Sequence, residues 1–455
     1  MNGKKVLVFG MARSGIAAAK LLRAKGAEVH ITDAKSEADF HGALDELREG
    51  VVWHLNEKHP EALLTGMDAL VISPGIPIEH AAVVRARELG VEVLGEVELA
   101  FRYASGLLLA VTGTNGKTTT CTLLGEICKN AGRRTHVVGN IGTPYAGIAA
   151  ETTNEDVTVC EISSFQMESA STFHPRVSAV LNITEDHLNR HHTMENYIAL
   201  KERIFANAVE GDSVVLNYDD PVTRDMANRA HGQVVFFSSR QAVPCGAFVR
   251  EGRVVFGTPG ALTDICAARD IYIPGEHNLQ NALAATAMAM CAGISPEVIA
   301  ETLRTFQGVE HRIEFVREFE GVRFINDSKG TNVDSTMWAV RAMDRPTAII
   351  LGGSEKASDF TPLAEELKHS EVRYAVLIGD TAKRIAATLD RCGFPHWEHA
   401  GYDFRRAIRR AFELAGPGGS VLLSPSCASF DMFSDYESRG RIFKEIVNAL
   451  ETPGA

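Results

Sequence analysis

The chain has 455 residues and a formal net charge of −12. At about 150 residues per domain, this length predicts about three domains. The acidic balance argues against a broad basic surface for nucleic acid, and the eight cysteines contain no Cys-x-x-Cys pair that would indicate a zinc site or a disulfide framework. The apolar runs are far shorter than the ~20 residues of a membrane helix, and the chain start lacks a signal-peptide pattern. We therefore expect a cytoplasmic protein with small-molecule ligands and no membrane insertion.

Predicted strands and helices alternate along three successive segments of the chain. The first has strands at residues 6–9, 28–33 and 68–73, a helix at 15–25 and a short connecting helix that begins near Glu96. The second has strands at 107–112, 157–160 and 177–183, helices at 194–207 and 278–291, and short strands within 212–275 that form an insertion or a sheet edge. The third has strands at 322–326, 347–351, 374–378 and 421–423 and a helix at 403–414.

This alternation predicts an α/β fold in which helices cover parallel sheets. We predict three domains. Residues 1–96 would form a Rossmann-like domain, residues 97–307 a central P-loop-like domain with a mostly parallel sheet, and residues 308–455 a second Rossmann-like domain.

A glycine loop after the strand at 107–112 is the strongest local signal. Its glycines allow several backbone N–H groups to face one anion, and the following helix N-terminus adds positive potential. Lys117 would bridge the β- and γ-phosphates and the Thr118 hydroxyl would ligate Mg²⁺, although Val111 stands at the leading glycine position of a full Walker A motif. The loop predicts nucleotide binding without separating a kinase, a GTPase and a ligase. The residues assigned to phosphate are Gly113, Thr114, Asn115, Gly116, Lys117, Thr118 and Thr119.

A weaker glycine turn lies at residues 10–15. It resembles a dinucleotide fingerprint, with Asp33 where an acidic ribose contact would fall. Ala12, however, occupies the second glycine position, which normally lets a pyrophosphate approach the backbone. An NAD oxidoreductase is therefore a strained interpretation, whereas the turn and Arg13 could still bind a diphosphate.

Polar residues follow two strands near the phosphate loop. Glu161 comes directly after the strand at 157–160, and a polar cluster at residues 182–191 follows the next strand. A carboxylate at the carboxyl end of a strand beside a phosphate loop is well placed to hold Mg²⁺. Several ionisable groups at one sheet edge favour a functional site over isolated structural residues.

Several motifs together resemble the Mur ligase superfamily. They are residues 112–119, Glu-Ile-Ser-Ser-Phe-Gln at 161–166, residues 182–189, His277-Asn278-x-x-Asn281, Glu-His-Arg at 310–312 and Asn-Asp-Ser-Lys-Gly-Thr-Asn at 326–332. The resemblance runs over essentially the whole chain in the order typical of the family. It implies an ATP-dependent enzyme that adds an amino acid to a peptidoglycan precursor. The segments at 352–360 and 424–431 resemble the branch that joins D-glutamate to UDP-N-acetylmuramoyl-L-alanine.

The resemblance also implies a role for Lys201. In the family this lysine is carbamylated by CO₂, which replaces a cation with an anionic oxygen ligand. Together with Thr118, Glu161 and His187, it would hold a pair of Mg²⁺ ions. The implied catalytic residues are Lys117, Glu161, His187 and Lys201.

Further ligand contacts follow from the same motifs. Asn278 and Asn281 would face adenine, and Arg312 and Asp327 would hold the phosphate and ribose of ATP. The UDP-sugar would be bound by Arg13, Asp33, Ser73, Gly75 and Asn140. D-Glutamate would be bound by Lys329, Thr331, Lys356, Ser429 and Phe430.

The implied reaction activates a carboxylate as an acyl phosphate, which the amine of the amino acid then attacks. Other interpretations remain open, namely another ligase of the superfamily, a folylpolyglutamate synthase, or a nucleotide-dependent switch module. The chain has no Asp-Asn-Pro-Arg stretch of the kind associated with diamino-acid addition. Because no strongly apolar interface helix stands out, we expect a monomer.

Overall fold

The computed structural model describes residues 1–40, 42–140, 142–354 and 358–451. The chain divides into two compact units, Met1–Phe306 and Gln307–Ala455. Across the described residues, the first unit contains two sheets and the second contains one. The predicted α/β class is confirmed, while the predicted domain boundaries after residues 96 and 307 stay predictions. Within the same ranges, no helix is both long and apolar enough to cross a membrane.

The N-terminal sheet is parallel throughout its described strands. These strands are β1 Lys5–Phe9, β2 Glu28–Asp33, β3 Val51–Leu55, β4 Ala69–Ile72 and β5 Glu92–Gly95. The helices are α1 Arg13–Ala24, α2 Ala81–Glu88 and the connecting helix α3 Glu96–Phe101. The strand order β3-β2-β1-β4-β5 reverses between β1 and β4. In an open α/β sheet, a ligand crevice forms at such a reversal, beyond the carboxyl ends of the strands.

The central sheet begins with the parallel strands β6 Leu107–Thr112, β7 Thr135–Gly139, β8 Val157–Glu161, β9 Val177–Val180, β10 Ser213–Asn217, β11 Gln233–Ser238 and β12 Gly246–Arg250. The antiparallel strands β13 Arg253–Thr258 and β14 Ala261–Ala267 complete one edge. Its helices are α4 Lys117–Asn130, α5 Ser164–Met167, α6 Leu188–His191, α7 Met194–Glu202, α8 Pro221–Met226, α9 Glu276–Cys291 and α10 Pro296–Thr305. Among the described strands the order is β14-β13-β12-β11-β10-β9-β6-β8-β7.

This order places β6 between β8 and β9, so the segments that follow these three strands share one edge of the sheet. Strands β10 to β14 lie within residues 212–275 and extend the same sheet to its other edge. This segment is therefore part of the sheet and not a separate insertion.

Two predicted elements are shorter than expected. The strand predicted at 177–183 ends at Val180, because the side chain and carbonyl of Asn182 bond the phosphate loop instead of a neighbouring strand. The helix predicted at 194–207 ends at Glu202 and continues as a 3-10 turn, Arg203–Phe205.

The second unit contains one sheet across its described residues. Its strands are β15 Glu314–Phe319, β16 Val322–Asn326, β17 Thr347–Gly352, β18 Val372–Ile378, β19 Trp397–Gly401 and β20 Ser420–Leu423. Its helices are α11 Val333–Arg341, α12 Thr361–Lys368, α13 Ala382–Cys392, α14 Phe404–Ala415 and α15 Tyr436–Asn448. The order is β15-β16-β20-β17-β18-β19, with β15 antiparallel. The ends of β16, β20 and β17 are therefore neighbours, and they lead into the segments predicted to bind the amino acid.

The connecting helix α3 is fastened to the central sheet by Glu98, whose side chain is fully buried. Its carboxylate accepts hydrogen bonds from the backbone N–H groups of Ser171, Thr172 and Phe173, from the Thr172 hydroxyl and from Arg102. Burial alone would raise the pKa of Glu98, but the hydrogen bonds from Thr172, Ser171 and Arg102 outweigh it and the pKa is lowered. The charged carboxylate is therefore the form that stabilises the fold.

Replacing Glu98 with glutamine tests this anchor. We expect Glu98→Gln to lower the free energy of unfolding by about 3 kcal/mol, because buried donors lose a charged acceptor. The control is Glu92→Gln, because Glu92 pairs with the same Arg102 at an exposed position. This substitution should lower the free energy of unfolding by less than about 1 kcal/mol. Since the folded pKa of Glu98 is lowered, its contribution is present at neutral pH and disappears as the pH falls below about 4. Equal denaturation midpoints for both variants would contradict this account.

Candidate active site

The phosphate loop spans residues 113–116, between β6 and α4. Gly113 has φ 148° and Gly116, at the N-terminus of α4, has φ 84°. A Cβ atom on Gly113 would lie 2.9 Å from Leu181, and one on Gly116 would lie 2.3 Å from Asn281. The loop therefore needs glycine both for its backbone conformation and for the close approach of its neighbours. Lys117 Nζ folds back over the loop and donates to the carbonyls of Gly113 at 2.9 Å and Thr114 at 2.8 Å.

Asn182, directly beyond β9, holds the loop from the side. Its Oδ1 accepts from Asn115 N at 2.8 Å and its Nδ2 donates to Asn115 O at 3.1 Å. Its carbonyl accepts from Thr114 N at 2.9 Å, and the Thr114 hydroxyl lies 3.1 Å from Tyr197 OH. These bonds orient the loop. Asn182 belongs to the polar cluster predicted at residues 182–191, but we assigned no specific role to it or to Tyr197.

Asn281 and Asn278 lie on the buried face of α9, next to α4. Asn281 Oδ1 lies 3.4 Å from the Thr120 hydroxyl, and its Nδ2 donates to Asn278 Oδ1 at 3.3 Å. Asn278 Nδ2 donates to Pro274 O at 2.7 Å. The structure therefore brings both asparagines to the start of α4 beside the phosphate loop, and their adenine role stays a prediction.

Glu161 ends β8, next to the phosphate loop. Only 1% of the surface of Glu161 is exposed. Oε1 accepts from Asn140 Nδ2 at 2.8 Å, whereas Oε2 is buried and has no hydrogen-bond partner among the described residues. A buried carboxylate oxygen without a partner is costly unless a ligand satisfies it. Asn140, which we predicted to contact the UDP-sugar, is thus also the residue that orients the Glu161 carboxylate.

Lys201, on α7, lies beneath the phosphate loop and is 1% exposed. Its Nζ donates to Gly113 O at 2.7 Å and lies 4.6 Å from the centre of the Tyr197 ring. Burial, reinforced by the positive charge of Lys117, holds the pKa of Lys201 well below its usual value, against the opposite pull of Asp186 and Glu161. The amine is therefore easier to deprotonate than that of an exposed lysine. A lysine on the surface of a helix would not show this lowered pKa.

His187 is the N-cap residue directly before α6, with a left-handed backbone, φ 55°, and an exposed side chain. Its ring lies 4.8 Å from that of Phe165 and its Nε2 lies 3.5 Å from Asp186 Oδ2. No cluster of three or more His, Cys, Asp or Glu residues is arranged as a metal site in the described ranges. The unsatisfied Glu161 Oε2 is nevertheless the kind of hard oxygen donor that Mg²⁺ prefers, so the residues present fit the implied ion.

The glycine turn of the N-terminal sheet is closely packed and lies at the predicted ligand crevice. A Cβ atom on Gly15 would lie 1.9 Å from Gly10 O, so this position admits only glycine. Ser73, after β4, donates to Gly10 O at 2.5 Å. Asp33 accepts from Met11 N at 2.7 Å, so the predicted ribose contact also supports the turn itself.

Arg13 and Gly75 are exposed at the same crevice region. Arg13 begins α1 and, with Glu151, lines a cavity of about 470 Å³ between α1 and residues 143–151. The structure therefore places the predicted UDP-sugar residues of the N-terminal sheet around one strand-order reversal. Their contacts with a ligand stay predictions.

In the second unit, Asp327 follows β16 and is 1% exposed. Its carboxylate accepts from the Ser424 hydroxyl at 2.7 Å and from Ile313 N at 3.2 Å. Burial raises the pKa of Asp327 to about 6, and the positive charge of Arg312 is the main influence that lowers it.

Both neighbours of Arg312 adopt positive φ, His311 at 64° and Ile313 at 46°. Such a conformation is strained for the β-branched Ile313 and is characteristic of functional loops.

Four of the five predicted D-glutamate residues lie in two neighbouring loops of this unit, beyond β16 and β20. Lys329 Nζ lies 5.3 Å from the centre of the Tyr436 ring, and the N–H of Thr331 donates to Lys329 O. Ser429 is buried while Phe430 is 74% exposed. Lys356 lies outside the described residues.

A buried arginine that we did not predict joins these two loops. Arg439, on α15, donates to Ser328 O at 2.7 Å and to Cys427 O at 3.2 Å. Burial lowers its pKa to about 10, a value at which the guanidinium is still charged at neutral pH. No local pattern distinguishes Arg439 from other helix arginines, because its partners are distant in sequence.

Known protein families match all three parts of the chain. The models described as "Mur ligase MurD-like, N-terminal domain", "Mur ligase middle domain" and "Mur ligase, glutamate ligase domain" match residues 4–95, 111–289 and 311–427. UDP-N-acetylmuramoylalanine--D-glutamate ligase from Thermoanaerobacter sp. (strain X514) is 46% identical over 452 residues, which cover 99% of each chain. The protein of the same name from Clostridioides difficile (strain 630) is 43% identical over 99% of this chain and 100% of its own.

A solved structure shares the fold. UDP-N-acetylmuramate-alanine ligase from Thermotoga maritima aligns with a TM-score of 0.62 at 18% identity, over 98% of this chain and 99% of its own. By family models, by full-length sequence identity and by fold, this chain belongs to the Mur ligase family.

Proposed function

We propose that this chain is an ATP-dependent ligase that joins the carboxylate of UDP-N-acetylmuramoyl-L-alanine to the amine of D-glutamate. It would act as a monomer in the cytoplasm, in peptidoglycan precursor synthesis. One observation carries the chemistry: a phosphate loop, a buried carboxylate with an unsatisfied oxygen and a buried lysine of lowered pKa share one edge of the central sheet. The names of the full-length relatives support the substrates.

The chemistry requires activation, because a carboxylate is a poor acylating agent. Attack of its oxygen on the γ-phosphorus of ATP forms an acyl phosphate and releases ADP. The amine of D-glutamate then attacks the acyl carbon, and the tetrahedral intermediate collapses to an amide with release of phosphate. In the first step two anions approach each other, which costs several kcal/mol at about 4 Å unless positive charge compensates for it.

The central sheet supplies that compensation. Lys117, the N–H groups of residues 113–116 and the N-terminus of α4 favour phosphate at this edge. Thr118, Glu161 and His187 would hold Mg²⁺, with Glu161 Oε2 as the donor that has no other partner in the described structure. When bound, a divalent ion neutralises the phosphate oxygens and aligns the in-line displacement. Asn278 and Asn281 would contact the adenine, and Arg312 and Asp327 the phosphate and ribose.

Lys201 would serve as a carbamate. A neutral amine is required, because its lone pair forms the new N–C bond with CO₂. One C–O π bond of CO₂ then becomes a lone pair on oxygen, and the proton lost by the nitrogen passes to water. Burial lowers the pKa of Lys201, which favours the neutral form that this reaction needs. The product exchanges a buried amine for an anionic oxygen ligand beside Glu161.

The second unit would bind D-glutamate. Lys329, Thr331, Lys356 and Ser429 offer cationic or hydroxyl donors for a dianionic amino acid, and the exposed Phe430 would contact its apolar part. In the first unit, Arg13, Asp33, Ser73, Gly75 and Asn140 would bind the UDP-sugar.

A substrate panel tests the proposed function. Phosphate release from ATP should require Mg²⁺, UDP-N-acetylmuramoyl-L-alanine and D-glutamate together, with L-alanine, a diamino acid or a dipeptide giving a small fraction of the rate. Phosphate release without either co-substrate would instead indicate a switch module. A nicotinamide absorbance change on turnover would indicate an oxidoreductase, and preference for another amino acid would indicate a different branch of the family.

Lys117 is expected to contribute to the phosphoryl-transfer step. Because its ammonium would offset charge on the β- and γ-phosphates, Lys117→Ala should lower kcat by at least about 100-fold while leaving the unfolding midpoint within a few degrees of the parent. Lys129→Ala is the matched control, since Lys129 lies in the last turn of the same helix. Near-parental turnover of Lys117→Ala would refute the phosphate-loop assignment.

The carbamate on Lys201 can be detected directly. With ¹³CO₂, the parent protein should show a carbamate carbon resonance that Lys201→Ala lacks and Lys129→Ala retains. Turnover of Lys201→Ala should be largely lost, and added acetate should restore part of it by supplying an oxygen ligand. Full activity of Lys201→Ala without acetate, or an unchanged resonance, would remove Lys201 from the metal site.

A further inference from the structure

Arg190, on α6, joins the central sheet to a loop of the N-terminal sheet. Its Nη2 donates to Ile76 O at 3.0 Å and to Pro74 O at 3.3 Å, and its Nη1 donates to Gly75 O at 3.3 Å. The guanidinium therefore contacts three successive carbonyls of the loop that follows β4. Only 12% of the side chain is exposed, so the contacts are largely shielded from water.

The other side of the guanidinium is held by Glu168, which follows α5. Arg190 Nε donates to Oε1 at 3.0 Å and Nη2 to Oε2 at 2.5 Å, and the Glu168 side chain is 4% exposed. A two-point pair of this kind fixes direction as well as distance. The Arg190 guanidinium also lies 4.6 Å from the centre of the Phe165 ring, which itself contacts His187.

The contacts continue toward the proposed metal site. His191 Nδ1 lies 3.5 Å from Glu168 Oε1, and His191 Nε2 lies 2.9 Å from the Ser164 hydroxyl. Ser164 begins α5, three positions after Glu161. A continuous set of polar contacts thus runs from the loop after β4 to the segment that carries Glu161.

The loop itself has little regular structure to fix it. Its sequence at residues 73–77 is Ser-Pro-Gly-Ile-Pro, and the prolines lack N–H groups that could bond a neighbouring strand. Ser73 anchors its start through Gly10 O, and a turn bond from Ile76 N to Ser73 O closes it. Arg190 contacts the carbonyls of residues 74–76, so the position of this turn against the central sheet depends on a residue of α6.

We propose that Arg190 is a positioning residue for the nucleotide-sugar substrate. Its guanidinium fixes the loop at 73–77 against the segment that carries Glu161 and His187, so that a sugar nucleotide bound at this loop is held in register with the phosphate loop. This inference rests on the proposed function, which assigns Ser73 and Gly75 to the UDP-sugar. It predicts that loss of Arg190 selectively weakens binding of the sugar nucleotide, with a much smaller effect on the binding of ATP.

Arg190→Gln tests this role, with Arg203→Gln as the matched control. Arg203 donates to the carbonyls of Glu168 and Ala170 on the same segment, and its described hydrogen bonds do not reach the loop at 73–77. For Arg190→Gln, the Kd of UDP-N-acetylmuramoyl-L-alanine by calorimetry and its KM should both rise about tenfold, a loss of about 1.4 kcal/mol. The KM of ATP should stay within twofold of the parent value. Arg203→Gln should leave the KM of the sugar nucleotide and the KM of ATP close to their parent values.

Arg190→Lys provides the second variant. It keeps the positive charge but loses the planar guanidinium that donates at two points, so the Kd of the sugar nucleotide should rise about threefold. If Arg190→Gln does not fold, Arg190→Lys is used for the test in its place. An unchanged Kd in the folded variants, or equal increases in both KM values for Arg190→Gln and Arg203→Gln, would overturn the proposal. If the parent protein itself does not bind the sugar nucleotide, the proposed function fails rather than the role of Arg190.

Discussion

A buried carboxylate and a buried amine at one sheet edge set the chemistry of this protein. Glu161 Oε2 has no hydrogen-bond partner in the described structure, and Lys201 is buried beside the positive charge of Lys117. Each feature opposes stability on its own, since buried polar groups require partners and buried charges require compensation. Under the proposed function, a divalent ion satisfies the carboxylate, and carbamylation converts the lysine into another oxygen ligand. Two unfavourable features thereby become parts of one binding site.

The sheet order explains why these groups meet. Because β6 lies between β8 and β9, the phosphate loop is flanked by Glu161 on one side and by Asn182 on the other. Lys201 approaches from α7 and reaches the carbonyl of Gly113. Parallel strands with short connections to helices thus concentrate residues from distant parts of the sequence at one edge. The same principle places the loops beyond β16 and β20 side by side in the second unit.

Much of this arrangement could be predicted from the sequence, because it depends on local patterns. Alternating strands and helices indicated the fold class, and the Gly-Lys-Thr-Thr motif indicated the phosphate loop. The contacts that orient the loop could not be predicted in the same way. Asn182 lies in a motif that the sequence does indicate, but its bonds to Asn115 depend on the order of strands within the sheet.

The remaining differences have the same physical origin. The pKa of Lys201 is lowered by burial beneath a loop that is distant in sequence. Arg190 contacts carbonyls of the loop that follows β4, which is also distant in sequence. The strand predicted at 177–183 ended early because backbone groups beyond Val180 bond the phosphate loop. In each case a tertiary contact overrides or supplements the local pattern, and no periodicity reports such a contact.

Under the proposed function, this sheet edge lets a carboxylate capture the γ-phosphoryl group of ATP. The most direct test uses UDP-N-acetylmuramoyl-L-alanine labelled with ¹⁸O in its alanyl carboxylate, followed by ³¹P NMR of the released phosphate during turnover with D-glutamate. We expect one carboxylate oxygen to appear in the inorganic phosphate for each amide formed. Product formation with unlabelled phosphate would contradict it, because the acid would then have been activated by a route that does not join its oxygen to phosphorus.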